Sequence, residues 1–461
     1  MIASGRLHSA RRGVYLVTTA AAGALPLAHL LPLSAGLSPG GRLTLGGIDA
    51  TALAAEFGTP LYVYDVRTLE QQCAAFRAAF AEQYPDSAVL YASKAFLNRP
   101  FARFIADQGL GFDAVSGGEI AVLQAAGVDM GTVYFHGNNK GADELRLAVT
   151  SGVGRIVIDN VAEVALVEAT AAEADTTQAV MLRVSPGVDG HTHEKTTTGI
   201  LDSKFGLPIV TGAAEEAVRG VLEAEHLDFR GLHMHLGSPI FELAPYEMAV
   251  EVMAQFIAEV CRDRLGVEVA EFSPGGGFAV GYESSHEPPP PSAYARAICG
   301  TLRREADRLG FPLPHVSIEP GRAIVGRAGV ALYTVGARKE VPGIRTFVSV
   351  DGGMADNIRP AMYGSRYEAL SAERPLAPAE ETVTIAGKYC ESGDVLVRDI
   401  RLPRLREGEP LAVPAAGAYR LAMASNYNLA YRPAVVMVGD GKARLIRRRE
   451  RADDLMALDV G

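Results

Sequence analysis

Cysteine is scarce: Cys73, Cys261, Cys299 and Cys390 are the only four in 461 residues, with no CxxC pair and no cluster with histidines. Neither a disulfide framework nor a structural zinc site is indicated, no metal is expected, and a reducing cytoplasm fits best. Positive charge is also short. Forty-four Lys and Arg against 54 Asp and Glu leave a formal net charge of −10, which argues against a phosphate-backbone footprint and so against nucleic acid as a partner. Long apolar runs are missing too. The stretch "SARRGVYLVTTAAAGALPLAHLL" has the outline of an export signal, but Pro26, His29 and Pro32 interrupt its apolar run. No span of about 18 apolar residues follows it, so no membrane segment is expected. Residues 1–40 are expected to be a poorly determined extension. Folded sequence is expected to begin with "GRLTLGGIDATALAAEFGTPLYVYD", 41–65, a segment that should join a later β domain.

What is present is ordinary globular composition, 48% hydrophobic and 21% charged, in a chain long enough for two or three domains. From residue 66 to 320 short β-rich runs alternate with amphipathic segments such as "RPFARFIADQG" and "PSAYARAICGTLRREADRLG", the pattern of βα units around a parallel sheet. The runs are "SAVLYASK", "GFDAV", "TVYFHG", "RIVID", "AVMLRV", "FRGLHMH", "VAEFSP" and "HVSIEP". Eight is the barrel number, so the expected fold is an α/β (β/α)8 barrel with its site at the strand C-terminal ends. Chemistry-bearing residues do fall at those ends: Lys94, Asp113 with Ser116, His136 with Asn138, Asp159, Arg183, His235 with Ser238, Gly275–Gly277 and Glu319. The Pro-rich "SSHEPPPPSAY" reads as a surface loop. Beyond 320, residues 321–461 read as strands separated by turns, a mainly antiparallel β domain ending in a hairpin at Asp440-Gly441. No internal repeat beyond the βα period is seen.

A lysine closing an apolar strand at a barrel mouth is expected to have a lowered pKa and to be a nucleophilic amine, although from position alone Lys94 reads equally as a rim lysine in a salt bridge. The tri-glycine after the seventh strand offers backbone N–H groups for a phosphate. The pair suggests pyridoxal 5'-phosphate, tethered to Lys94 and held at Gly275, Gly276, Gly277 and Ser238.

In order along the chain stand "YASKAF", "HGNNK", "TGILDSKFG", "HMHLGS", "SPGGGF", "IEPGR", "DGGMADNIRPAMYG", "GKYCESGD", "GAY" and "ASNYN". With these ten motifs the chain resembles the alanine-racemase-fold, pyridoxal-phosphate-dependent decarboxylases from about residue 41 to its C-terminus. The resemblance implies that Lys94 carries the cofactor, that His235 stacks on its ring and that Glu319 pairs with the ring nitrogen, where racemases of this fold place an arginine. It extends the cofactor set to Asp113, Pro320, Gly321, Arg322 and Tyr419. It also implies a substrate-binding set of Arg322, Arg359, Tyr363, Glu391 and Tyr419, suited to a molecule with an amino-acid head at both ends. Meso-diaminopimelate, decarboxylated to L-lysine in the last step of lysine biosynthesis, is the substrate this set describes. Cys390 of "CESGD" would be the proton donor, reaching the site from the partner subunit of a homodimer.

Blander readings stand beside these. Glu319 could be ion-paired to Arg322, Arg359 and Tyr363 could form one solvated helical face, and Cys390 could be a buried structural thiol. Another substrate, such as ornithine, carboxynorspermidine or an antibiotic-pathway amino acid, is the nearest rival. A non-catalytic binding protein of the same fold is less compatible with Lys94 and Cys390 both being intact.

Overall fold

Eight parallel strands close on themselves in the computed structural model, which describes residues 25–190, 198–199 and 202–460. They are Ser87–Ala92, Gly111–Ala114, Val133–Phe135, Arg155–Ile158, Gln178–Ser185, Leu227–His233, Glu271–Gly275 and His315–Ile318. Each pairs with the next, and the eighth returns to the first through Val316 opposite Ser87 and Ile318 opposite Val89. All eight expected strands are present. Several crossover helices start on a side-chain cap close after a strand end: Asn98 accepts from the Phe101 N–H at 2.9 Å, Ser116 from Glu119 at 3.3 Å and Asn160 from Glu163 at 3.1 Å. Such caps satisfy first-turn N–H groups that have no intrahelical partner. The helix Arg99–Asp107 then buries Phe101, Ala102 and Ile105 on one face, as its apolar spacing requires. Pro291 opens the helix Pro291–Leu309, so the Pro-rich segment is a loop only up to Pro290. Among the described residues no helix is long and apolar enough to cross a membrane.

The second domain is a mixed, chiefly antiparallel sheet. One of its inner strands, Leu61–Asp65, is buried along its whole length. It pairs antiparallel with Gly329–Val341 and parallel with Ala434–Gly439. Arg345–Val350 and Glu381–Ala386 form a second parallel pair. Ala434–Gly439 and Lys442–Arg447 make the hairpin expected at Asp440-Gly441, with φ of 51° and 70° at its turn, the left-handed conformation that tight hairpins need. One apolar core runs from Tyr91, Phe101 and Phe112 of the barrel to Tyr62, Tyr333 and Val350 of the β domain.

The N-terminal expectation needs correction over residues 25–40. Leu25, Leu30, Leu31 and Ala35 are buried, and Gly36–Leu37 pairs antiparallel with Leu43–Leu45. Arg327 donates to the carbonyls of Leu31 and Ala28 at 2.8 and 3.1 Å. Ser34 accepts from the Gly46 N–H at 2.8 Å and donates to Asp65. Pro26 and Pro32 preclude a long helix but not burial: each buried leucine contributes roughly 1.5–3 kcal/mol, and the hydrogen bonds satisfy the turn around it. The start of the export-like stretch lies outside the described residues.

Candidate active site

Lys94 sits in a short turn, Ser93–Ala95, just past the first barrel strand, with its Nζ on a carboxylate oxygen of Asp113 from the second. Strand pairing sets this up, because Ala92 and Asp113 lie side by side in register. Burial alone would lower the pKa of Lys94, but Asp113, Tyr419 and Glu319 outweigh it and hold the amine above its ordinary value. The expected lowering is therefore overturned. The cause is a neighbouring-strand carboxylate, invisible in the local sequence. The other Asp113 oxygen is buried and has no hydrogen-bond partner among the described residues.

Glu319 follows the eighth strand and is buried. Its Oε2 lies 3.1 Å from His233 Nε2, and its Oε1 lies 3.3 Å from His136 Nε2 and 3.2 Å from Ser273 Oγ. Burial opposes its ionisation, yet His233 and His136 prevail and hold the carboxyl well below its usual range. Arg322 is engaged elsewhere, so no Glu319–Arg322 ion pair forms among the described residues. The donor atoms of His136, His233 and Glu319 all lie within 4.8 Å of one another. His235, two residues beyond His233, accepts from the Gly276 N–H through Nδ1 at 3.2 Å. Burial, reinforced by the charges of Arg183 and Lys94, keeps its imidazole neutral, with its pKa well below the ordinary value.

The tri-glycine is a close-approach site. A Cβ would stand 2.3 Å from the Met234 carbonyl at Gly275, 2.3 Å from the Glu319 carbonyl at Gly276 and 2.4 Å from the Gly237 carbonyl at Gly277. Gly275 and Gly277 also have left-handed φ, 74° and 105°, which side chains disfavour. The eighth-strand loop closes over the first strand: the Ala92 N–H donates to Pro320 O at 3.3 Å, and a Cβ at Gly321 would meet Ala92 Cβ at 2.8 Å.

Arg322 donates through Nε to Ser238 Oγ at 3.0 Å and through Nη1 to Tyr282 OH at 2.7 Å. Arg359 is buried and donates to Tyr367 OH at 3.1 Å; it lies over the Tyr363 ring at 5.1 Å. This rules out a solvated face for Arg359. Tyr419, with φ of 57° and its N–H on Ala95 O at 2.9 Å, brings the β domain against the lysine turn. Its ring has the Arg322 and Arg359 guanidiniums 4.6 and 5.8 Å away.

Cys390 and Glu391 are on an exposed loop of the β domain, so the buried-thiol reading fails. Asp394 builds that loop: its buried carboxylate accepts from the Met354 N–H at 2.6 Å and the Tyr389 N–H at 2.8 Å. The "ASNYN" segment braces it. The Cys390 N–H donates to Asn428 Oδ1 at 3.3 Å, and Tyr427 OH donates to Glu391.

His136 was picked out from sequence only by its strand-end position, and His233, Ser273, Tyr282, Tyr367 and Asp394 had no site role assigned. One signal could have found His233: residues 233 and 235 alternate along a strand and share a face. Tyr282 and Tyr367 stand in no motif and are brought in only by the tertiary fold.

A bound pyridoxal phosphate fits this constellation: an amine, an unpartnered buried carboxylate oxygen beside it, a neutral imidazole, a buried carboxylate and a cradle bare of side chains. A family model described as "Pyridoxal-dependent decarboxylase, pyridoxal binding domain" matches residues 66–326. Over 420 residues the chain is 45% identical to the diaminopimelate decarboxylase of Bacillus subtilis (strain 168), covering 91% of this chain and 95% of that one. A solved structure of diaminopimelate decarboxylase from M. jannaschii superposes with a TM-score of 0.87 at 33% identity, covering 93% of this chain and 98% of that one. The Helicobacter pylori enzyme, complexed with L-lysine, gives 0.81 at 29% identity over 88% and 98%.

Proposed function

Because the chain belongs to the diaminopimelate decarboxylase family of pyridoxal-dependent decarboxylases, we propose how its residues divide the work of that reaction. The enzyme releases CO2 from meso-2,6-diaminopimelate and leaves L-lysine, the last step of lysine biosynthesis. Pyridoxal phosphate, when bound, supplies a sink for the electron pair left behind as CO2 departs.

The buried carboxylate of Glu319 is the observation that carries the assignment, since an anion kept ionised in the barrel favours a protonated ring nitrogen and the strongest sink. His136, His233 and Ser273 hold that carboxylate still. Lys94 carries the cofactor, and Asp113 orients its amine. His235 would contact the cofactor ring, and its bond from Gly276 ties it to Gly275–Gly277, which with Ser238 and the Pro320–Arg322 turn would hold the phosphate. Arg322, Arg359, Tyr363 and Tyr419 take the carboxylate at the end of the substrate that does not react, where two guanidiniums suit an anion. Glu391 takes the ammonium at that end.

Cys390 then delivers a proton from Sγ to the carbon that lost CO2, which completes the exchange of CO2 for H+. Lys94 is in the barrel mouth and Cys390 is on an exposed face, so the thiol comes from a second copy of the chain in a two-fold dimer. Leu429 and Tyr431, exposed close to Asn428, provide apolar surface for that contact. A cytoplasmic location accords with the unpaired thiols of Cys73, Cys261, Cys299 and Cys390.

Purified protein should release CO2 from meso-diaminopimelate in preference to ornithine or lysine. Borohydride reduction should leave a pyridoxyl group on Lys94, identified by peptide mass. Pyridoxyl-lysine at wild-type stoichiometry in Lys94→Ala would refute the tether.

A further inference from the structure

Arg420 is among the largest fully buried side chains, and its Nε, Nη1 and Nη2 all lack a hydrogen-bond partner among the described residues. Its guanidinium lies on the Tyr367 ring, 4.0 Å from the centroid. A buried, unpaired cation is costly, so something must compensate it. Asp356 is a partial answer. Its carboxylate is already taken by Tyr62 at 2.9 Å, Tyr333 at 2.5 Å and the Gly353 N–H at 2.9 Å, and it does not form an ion pair with Arg420.

On its other side Arg420 adjoins the substrate-binding arginines. Tyr367, whose ring it covers, accepts from Arg359 at 3.1 Å and meets Tyr282 edge-on, with centroids 5.3 Å apart at 88°. Tyr282 accepts from Arg322 at 2.7 Å. Three guanidiniums thus share two linked phenols, and among the described residues none has a carboxylate partner. The cluster is built with positive charge in excess.

We propose that Arg420 is a positioning and specificity-determining residue for the substrate's non-reacting carboxylate: stacked on Tyr367, it fixes the phenol that holds Arg359, and its uncompensated charge favours an anionic end. This rests on the role given to Arg359 above. Tyr282 carries the mark of the shared charge. Burial opposes ionisation of its phenol, but Arg322, Arg359 and Arg420 outweigh that and bring it below its ordinary value. The other polar groups around it are Tyr367, His286, whose Nδ1 accepts the Tyr282 N–H at 3.3 Å, and Glu283, next in the chain.

The test compares ligands that keep the non-reacting carboxylate with one that lacks it. In Arg420→Met holoenzyme the KM for meso-diaminopimelate and the Ki of L-lysine should rise on the order of tenfold, while the Ki of cadaverine, which has no carboxylate, stays level or falls. Arg420→Lys should recover most of the loss. Without any ligand, the lowest-titrating tyrosine, followed at 295 nm, should move to higher pH in the Met variant and stay in place in the Lys variant. L-lysine and cadaverine weakening together, or a tyrosine titration that does not move, would overturn the proposal and leave Arg420 as a counter-charge to Asp356. If the Met variant does not fold, Arg420→Lys decides alone: loss of the planar stack should weaken L-lysine about threefold without affecting cadaverine, and parallel changes refute the role. Arg359→Ala runs alongside. Should it spare the lysine-to-cadaverine ratio, the reading of Arg359 falls and this proposal with it; should it alone alter the ratio, only the role of Arg420 falls.

Discussion

Gly276→Ala isolates a steric effect at the proposed cofactor cradle, because Gly276, unlike its two neighbours, does not occupy a left-handed conformation. The added methyl would stand 2.3 Å from the Glu319 carbonyl oxygen and 3.2 Å from its carbon. A relaxed carbon–oxygen contact is about 3.3 Å, so about 1 Å must be found between two backbone segments, neither of which can swing away as a side chain would. Overpacking of this kind costs roughly 1–3 kcal/mol, a fall of a few degrees in Tm for a barrel of this size. The catalytic loss should be larger. The displaced segment carries Glu319, and Gly276 itself donates to His235, so both the proposed partner of the ring nitrogen and the imidazole proposed to stack on the ring shift. A misplacement of about 1 Å at reacting groups costs on the order of 100-fold in rate. Steady-state CO2 release and thermal unfolding on the same preparation give both numbers. A kcat within threefold of wild type, together with the expected drop in Tm, would show that the position of Glu319 does not control the reaction.

Under the shared-site arrangement, mixing inactive Lys94→Ala and Cys390→Ala dimers with free subunit exchange should restore roughly a quarter of all sites, because each mixed dimer has one site with both lesions and one with neither. Exchange confirmed by mass spectrometry with activity at background would rule that arrangement out. Glu119, whose Oε2 accepts from the Val115 N–H at 2.7 Å, is raised to about 7, chiefly by burial. A raised carboxyl binds more protons folded than unfolded, so its contribution to stability falls as pH climbs from 4.5 to about 7 and is level above. Glu119→Gln keeps the acceptor and cannot titrate. Its urea-unfolding free energy minus that of wild type should rise across that window, and a difference that falls instead contradicts the assignment.

The barrel was legible because its information is local. Period, caps and turn glycines such as Gly127 and Gly152 lie within a few residues of the elements they define, and the strand-end rule placed Lys94, Asp113, His235 and Glu319 without knowledge of their neighbours. What failed was what depends on a neighbour. The charge state of Lys94 is set by Asp113 across a strand pair. Residues 25–40 are ordered by Arg327, Asp65 and Thr68 far along the chain, and proline interruptions carry no information about such partners. The parallel pair Ala434–Gly439 with Leu61–Asp65 joins segments more than 350 residues apart, which no hairpin spacing announces.

Cys390 shows where those two kinds of information meet. Its motif is local, and so is the machinery that shapes it: a Cβ at Gly387 would lie 2.1 Å from an Asp394 oxygen and one at Gly353 2.5 Å from the other, so either would push that carboxylate off its bonds to the Met354 and Tyr389 N–H groups. Asp394 thereby draws the 387–394 loop onto the Gly353 turn, and the same turn bonds Asp356, whose phenol partners line the Arg420 side of the arginine cluster. Under the proposed shared site, a buried carboxylate and two tightly packed glycines stiffen the exposed loop that presents the thiol. A thiol presented in that way to a second copy gains by arriving already positioned, because correcting its approach in the partner's barrel would draw on binding energy.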